Sequence, residues 1–171
     1  MNDQQLWQHG LQALNEQLQI STPAKKLQLM ELLTKYNRGK ELLVAITQAI
    51  NSESICRECA GQCCLNGKYR MNVLDALSLQ VSDIKISPDF SQKPLCPCST
   101  ATGCKLEPAF RPADCVFFVC SAIDHCLSVT DRNKLEACEK TLRGCLSSAS
   151  QMLGISVSKP LLLWAEKEPN N

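Results

Sequence analysis

The sequence predicts a mainly α fold around a loop-rich cluster of cysteines, with room for short β segments. Apolar residues recur at the helical period near both ends of the chain. Between these two parts the helical spacing is lost, and the sequence is rich in cysteine, proline and short polar runs. Twelve of the 171 residues are cysteines, and nine of these lie between Cys56 and Cys120. We expect one compact domain in three segments: N-terminal helices over 1–53, a cysteine-cluster region over 54–126, and a C-terminal helix and tail over 127–171.

The N-terminal segment is predicted to form three helices, and it contains no thiol. Leucines at helical spacing mark a first helix over 3–19. Thr22 followed by Pro23 is a start signal for a second helix, because proline fits the first helical position. Gly39 is expected to end that helix, and a third follows over 40–51. These helices either cover the cysteine region or dock a protein partner or a second copy of the chain.

The cysteine-cluster region is expected to hold only short elements. Residues 68–73 are compatible with a short strand, and residues 74–81 with a short helix. Residues 83–103 carry three of the eight prolines and are predicted to be loop. The apolar run 115–120, which begins and ends on a cysteine, is predicted to be a short strand or a buried turn.

The C-terminal segment is predicted to begin with a helix over 131–149, preceded by a capping residue, Ser128. Cys138 and Cys145 share the apolar face of this helix with leucines. We therefore interpret both as small core residues, a common role of free cysteine. The tail over 152–164 is expected to add an extended segment or a short helix.

Charge and hydropathy exclude two classes of partner. The chain carries 18 basic and 17 acidic residues, a balance that argues against nucleic-acid binding. No apolar run reaches the roughly 18 residues that a membrane span requires. The N-terminus lacks the basic and apolar regions of a secretory signal, so we expect a cytoplasmic protein. In that reducing compartment, cysteines are expected as free thiols or metal ligands.

Cysteines clustered at this density predict a metal site that cross-links the middle of the chain. Cys56 and Cys59 have the spacing that places two thiolates on one turn. The adjacent Cys63 and Cys64 are expected to face different ways, so a second group must complete the coordination. The residue counts allow one or two four-thiolate sites, and such sites suit zinc and iron–sulfur clusters equally. The candidate ligands are Cys56, Cys59, Cys63, Cys64, Cys96, Cys104, Cys115 and Cys120.

The order of these cysteines resembles a known family. The pattern comprises Cys56-x2-Cys59-x3-Cys63-Cys64, Cys96-Pro97, Gly103-Cys104, Arg111-Pro112-x2-Cys115 and Cys120. It is similar to that of a bacterial cysteine-cluster family described as a zinc- or iron-chelating domain. The resemblance covers residues 56–120 and implies metal chelation without a defined reaction. It leads us to expect a metal-binding protein with a structural or metal-handling role.

Three positions depart from the family pattern. Cys98 stands where the family usually has a hydrophobic residue, so it is either a replacement ligand or an idle thiol. Three residues, rather than two, separate Cys59 from Cys63, and the usual tyrosine before Arg111 is absent. The sequence also leaves open whether Cys126 and its neighbour His125 are ligands.

Two other functions remain open at the level of the sequence. A flagellin lysine N-methylase is similar in its cysteine cluster, which keeps open an iron–sulfur or metal-dependent enzyme that modifies proteins by methyl transfer. No nucleophile–base set or phosphate-binding loop is recognisable, so an enzyme is the less favoured interpretation. The even number of cysteines also permits an exported protein with disulfides.

Overall fold

The chain is mainly α-helical, which confirms the predicted fold class. The computed structural model describes residues 1–58, 62–65, 67–92, 95–100 and 103–167. The helices in this part of the chain are α1 (Asp3–Ile20), α2 (Pro23–Gln48), α3 (Ser52–Glu58), α4 (Val73–Val81), α5 (Ala113–Phe117), α6 (Ser121–Cys126), α7 (Val129–Leu153) and α8 (Leu161–Ala165). The strands β1 (Ser99–Thr100) and β2 (Gly103–Cys104) form an antiparallel hairpin. Short 3-10 turns cover Gln62–Cys64, Gly67–Tyr69 and Pro108–Phe110.

The first two helices begin where the sequence signals predict. Asn2 and Gln5 form a reciprocal capping box at α1, with each side chain accepting from the other's amide at 2.9 Å. At α2, the Thr22 hydroxyl accepts from the Lys25 amide at 3.3 Å, and Pro23 occupies the first helical position. These caps satisfy amides that have no partner within their own helix.

The predicted break at Gly39 is wrong, because α2 continues through it to Gln48. Gly39 faces α7, and a Cβ atom placed there would lie 2.8 Å from a terminal carbon of Leu142. The glycine therefore permits close approach of two long helices rather than ending one of them. The chain turns instead after α2, where Asn51 adopts a left-handed backbone conformation with φ of 58°.

Two further expectations are corrected in the middle of the chain. Residues 68–73 do not form a strand: they begin in the Gly67–Tyr69 turn, and Asn72 forms an isolated bridge with Pro160. The run 115–120 is not a strand either, since its first half belongs to α5. An apolar run of this length is too short to distinguish the helical period from the strand period, so hydrogen bonds to the rest of the fold decide which structure forms.

The remaining helix predictions are confirmed, whereas residues 83–103, predicted to be loop, include β1 and the first residue of β2. The helix expected over 74–81 is α4, and the helix expected over 131–149 lies within α7. Cys145 is buried, and Cys138 packs against the edge of the core. The tail contributes the short helix α8.

The core is one apolar cluster with members from all three sequence segments. Helix α2 packs along α7, while α1 packs against α8 and α4. Leu14, Leu74 and Leu142 are among its fully buried members. No helix in the described ranges has the length and apolar character needed to cross a bilayer.

A buried carboxylate joins three helices within this core. Asp75 on α4 and Lys40 on α2 form an ion pair at 2.9 Å, and both side chains are 0% exposed. The same Asp75 oxygen accepts from the Tyr36 hydroxyl at 3.0 Å. The other oxygen accepts from the amides of Asn72 at 3.3 Å and Ala113 at 3.1 Å. Four donors therefore compensate the buried charge and link α2, α4 and the start of α5.

The first turn of α4 is also held by the segment that precedes α8. The amides of Val73 and Leu74 donate to the carbonyls of Lys159 and Val157, at 3.0 and 3.1 Å. In the opposite direction, the Leu161 amide donates to the Met71 carbonyl at 2.8 Å. Helix-start amides that would otherwise need water or a cap thus find acceptors far along the sequence.

We predict that Lys40→Met destabilises the fold strongly. The substitution retains the length of the side chain but leaves the Asp75 carboxylate buried without a counter-charge, which costs about 3–5 kcal/mol. Urea denaturation measures the free energy of unfolding. Lys134→Met is the control, since Lys134 and its partner Asp131 form a solvent-exposed pair whose loss changes stability little. Equal stabilities of the two variants would contradict the prediction.

Candidate functional site

The cysteines fall into a first cluster, Cys56 to Cys64, and a second cluster, Cys96 to Cys120. The β1–β2 hairpin brings three cysteines of the second cluster together. Ser99 pairs with Cys104 across the hairpin, and the Lys105 amide donates to the Cys98 carbonyl at 3.0 Å. Cys96 lies just before this ladder, on the turn that leads into β1. The hairpin therefore positions Cys96, Cys98 and Cys104 on one short piece of backbone.

Backbone amides donate to two of these sulfurs. The amide of Cys98 donates to Sγ of Cys96 at 3.4 Å, and the amide of Leu106 donates to Sγ of Cys104 at 3.4 Å. In both cases the donor lies two residues after the cysteine. Donation to sulfur stabilises a negatively charged thiolate, the form that binds metals. The loops around Cys96 and Cys104 are thus shaped to hold thiolates.

The Cys96 turn is packed tightly against the Gly67–Tyr69 turn. A Cβ atom on Gly67 would lie 2.4 Å from Cβ of Cys96 and 2.9 Å from its Cα atom. The Gly67–Tyr69 turn is itself tied to α1, because Lys68 forms an ion pair with Asp3 at 2.9 Å. Nothing in the sequence alone shows that Gly67 touches Cys96. It is a site-shaping residue that sequence reasoning missed.

Cys96 and Cys98 have opposite protonation preferences. A hydrogen bond from the Cys98 side chain lowers the pKa of Cys96 to about 6, helped by the Cys98 amide and by the positive charge of Lys105. The same side-chain hydrogen bond raises the pKa of Cys98, and burial raises it further. Cys96 is therefore a thiolate at neutral pH, and Cys98 is a thiol that donates to it.

The negative charge of Cys96 acts on the thiols of Cys104 and Cys115. Burial raises the pKa of both thiols, and the charge of Cys96 contributes to the rise in each case. The charge of Arg111 opposes the rise at Cys104. Both cysteines nevertheless keep solvent-exposed surface. They are crowded by protein but open on one side, as expected in a shallow depression.

Cys115 is fixed by the buried carboxylate network. It lies on α5, whose first amide, from Ala113, donates to Asp75. Arg70 donates to the carbonyl of Asp114 at 3.3 Å, and its positive charge opposes part of the rise that burial causes in the pKa of Cys115. The sequence does not reveal Asp75 and Arg70 as positioning residues, because each is separated from Cys115 by about forty residues.

Arg111 hydrogen-bonds to the loop beside Cys104, in addition to the effect of its charge on that thiol. Its Nε atom donates to the carbonyl of Leu106 at 3.2 Å, while the Leu106 amide donates to Cys104. Asp124 of α6 pairs with Arg132 of α7 at 3.1 Å. Both residues therefore hold the segments that carry the cysteines.

Helix α3 brings Cys56 towards the hairpin that carries Cys104. This helix carries Cys56 and packs against both β2 and α6. Cys120 precedes α6 and Cys126 ends it, with His125 in its last turn. Cys64 ends the Gln62–Cys64 turn and is half-buried.

Two of the predicted ligands lie outside the described residues. These are Cys59 and the side chain of Cys63. Among the side chains that the structure describes, no three His, Cys, Asp or Glu residues have the arrangement of a metal site. What the structure does show is a charge interaction of Cys96 with both Cys104 and Cys115, and the packing of α3 against β2.

A narrow cleft, with room for about one molecule of the size of water, opens beside this group. Cys96 and Cys98 contribute to its lining, together with Trp7, Gly67 and Phe90. Trp7 and Phe90 also contact each other, with ring centroids 6.2 Å apart. Small molecules from solvent therefore have an approach to the Cys96–Cys98 turn.

Comparisons with protein-family models, with curated proteins and with solved structures found no match. The resemblance to the cysteine-cluster family, drawn from the spacing of the cysteines, stays a prediction.

We predict that Gly67→Ala displaces the Cys96 turn. The new methyl group would overlap Cys96, and overpacking of this kind costs about 1–3 kcal/mol. Urea denaturation and the rate of Cys96 alkylation report the change. Gly144→Ala is the matched control: nothing lies within 4 Å of its added carbon, and it replaces glycine within α7. That control is expected to stabilise the protein by up to about 1 kcal/mol. A neutral Gly67→Ala would contradict the prediction.

A second prediction concerns the reactivity of Cys96 in metal-free protein. Because the thiolate is the nucleophile, alkylation of Cys96 by iodoacetamide should reach half its maximal rate near pH 6 instead of pH 9. Cys98→Ala removes the side-chain donor and should move the profile to higher pH. Mass spectrometry after timed quenching follows the modification, with Cys138→Ala as the control. An unshifted profile in Cys98→Ala would show that this hydrogen bond does not set the pKa.

Proposed function

We propose that the chain binds a thiophilic metal, as zinc or as an iron–sulfur cluster, through its clustered cysteines. The observation that carries the proposal is the pair of amide-to-sulfur hydrogen bonds at Cys96 and Cys104. Metal-bound thiolates depend on such donors, because the donors orient the sulfur and offset its charge. Both kinds of centre fit thiolate ligands, so the proposal covers both.

The proposed ligands come from two structural groups. The second cluster supplies Cys96, Cys104 and Cys115, which interact electrostatically in the structure. Helix α3 lies beside β2 and would bring the first cluster to them. The full proposed set is Cys56, Cys59, Cys63, Cys64, Cys96, Cys104, Cys115 and Cys120.

The role we propose for the metal is structural or in metal handling. The cysteine region consists of short turns and helices, which bury less apolar surface than long helices. A metal ion that cross-links them therefore adds most to their stability. A structural zinc site contributes on the order of 10–16 kcal/mol of binding free energy, comparable to the stability of a whole domain. Cys56, Cys104 and Cys115 are exposed to solvent, which gives an incoming metal access to the site.

The proposal includes a compartment and a partner surface. We place the protein in the cytoplasm, where a reducing environment keeps thiols available for metal. The N-terminal helices offer an apolar surface to a protein partner or a second copy. Three side chains form it: Ile20, Leu27 and Met30, all exposed at the junction of α1 and α2.

Anaerobic purification tests the metal proposal. One sample is analysed by visible absorbance and for zinc, iron and acid-labile sulfide. We expect either colourless protein with stoichiometric zinc, or coloured protein with iron and sulfide. Cys104→Ser and Cys115→Ser should bind the metal at least roughly 10-fold more weakly. Cys138→Ser, in the core face of α7, should bind it normally.

Metal removal provides the second readout of the same prediction. A chelator should lower the melting temperature of the wild-type protein and abolish the difference between it and the Cys104→Ser variant. Metal-free protein as isolated, or a chelator that leaves the melting temperature unchanged, would overturn the proposal.

A further inference from the structure

We propose that Cys96 and Cys98 form a dithiol that hydrogen peroxide oxidises to an intramolecular disulfide, which withdraws Cys96 from the metal site. The oxidation concerns only the two thiols, whereas its effect on metal binding rests on the proposed function. Cys98 then has a defined role: it is the reaction partner of Cys96.

The backbone places the two residues at a suitable separation. They lie in one tight turn, which the Ser99 amide closes by donating to the Cys96 carbonyl at 2.9 Å. The Ser99 hydroxyl donates to the same carbonyl at 2.7 Å, and Pro97 restricts the turn further. Cα atoms two residues apart in such a turn are about 5–6 Å from each other. A disulfide requires about 4.4–6.8 Å.

The side chains already face each other. The Cys98 amide donates to Sγ of Cys96 at 3.4 Å, so the Cys96 sulfur is turned towards Cys98. Bond formation therefore needs side-chain rotation without movement of the hairpin. The sulfur of Cys104 instead accepts from the Leu106 amide, just after β2.

Unequal exposure assigns different steps to the two sulfurs. Cys96 is half-buried and borders the cleft that opens beside Trp7 and Phe90. Cys98 is 5% exposed and packs within the core. Peroxide arriving from solvent meets Cys96 first, and Cys98 is shielded from direct attack but in contact with the product.

The chemistry balances with one peroxide per disulfide. Sγ of Cys96 attacks one oxygen of hydrogen peroxide, the O–O bond breaks, and hydroxide leaves and takes up a proton to become water. Cys96 is then a sulfenic acid. Sγ of Cys98 attacks the Cys96 sulfur, the S–O bond breaks, and a second water leaves with the Cys98 proton. The two sulfurs lose two electrons and the peroxide gains them.

The disulfide changes the metal site directly. Because only a thiolate sulfur is an effective ligand, oxidation removes Cys96 from coordination. Reduction by a dithiol returns both thiols and restores the ligand. The turn at residues 96–99 would therefore couple metal retention to the presence of peroxide.

The first experiment uses the full chain without metal. Reduced protein is treated with equimolar hydrogen peroxide, remaining thiols are alkylated, and the disulfide is located by tandem mass spectrometry. We expect a bond between Cys96 and Cys98 in the wild type and in the control Cys138→Ser. In Cys98→Ser, which keeps a hydroxyl donor beside Cys96, equimolar peroxide should leave Cys96 as a sulfenic acid, and excess peroxide should carry it on to sulfinic acid. Absence of the Cys96–Cys98 bond in the wild type would overturn the proposal.

The second experiment measures the effect on metal. Zinc-loaded protein is treated with peroxide, and a chromogenic chelator reports released zinc. Both the wild type and Cys98→Ser should release zinc under excess peroxide, but dithiothreitol should allow reloading of the wild type alone, because Cys96 of Cys98→Ser has become sulfinic acid. A disulfide that forms while zinc stays bound would overturn the coupling. Protein that never binds zinc or iron would overturn the proposed function instead, and the result of the first experiment would still stand.

Discussion

The buried carboxylate of Asp75 is the constraint on which the rest of the structure depends. A buried charge is tolerated only where every lone pair is matched, and Asp75 has Lys40, Tyr36 and two backbone amides as donors. The donors come from α2, α4 and α5, so the helices cannot slide past one another without leaving a charge unpaired. The burial and the carboxylate also raise the pKa of Tyr36, which keeps its hydroxyl a donor. The ion pair fixes a geometry rather than simply adding stability.

The cysteine region depends on that helical framework. Its pieces are too short to be stable alone, and each is anchored to a longer element. The start of α5 is bound to Asp75, while the Gly67 turn is tied to α1 through Lys68 and Asp3. The sulfurs thus occupy defined positions although most of the backbone around them is irregular. Rigid helices position thiols that are themselves placed on turns, as is common for binding residues.

Local signals made much of the framework predictable, and long-range contacts explain what was missed. The helix start at Thr22 follows from its capping signal, and α1, α7 and the short α4 follow from apolar spacing. Gly39 was misinterpreted because its reason for being glycine, Leu142, lies on another helix. Candidate ligands were recognisable as a cluster by their residue type. The donors to their sulfurs, the contact with Gly67 and the different states of Cys96 and Cys98 depend on folded geometry, which spacing does not encode.

The pairing of α4 with residues 157–161 bears on how the protein is made. A ribosome delivers the chain from its N-terminus, so all the candidate ligands emerge before the acceptors for the Val73 and Leu74 amides. Until residues 157–161 arrive, the first turn of α4, which carries Asp75, lacks part of its support. The cysteines of the nascent chain are therefore synthesised before the helices that position them can pack completely. We therefore expect the cysteine region to assemble late, once residues 157–161 have been synthesised and have paired with α4.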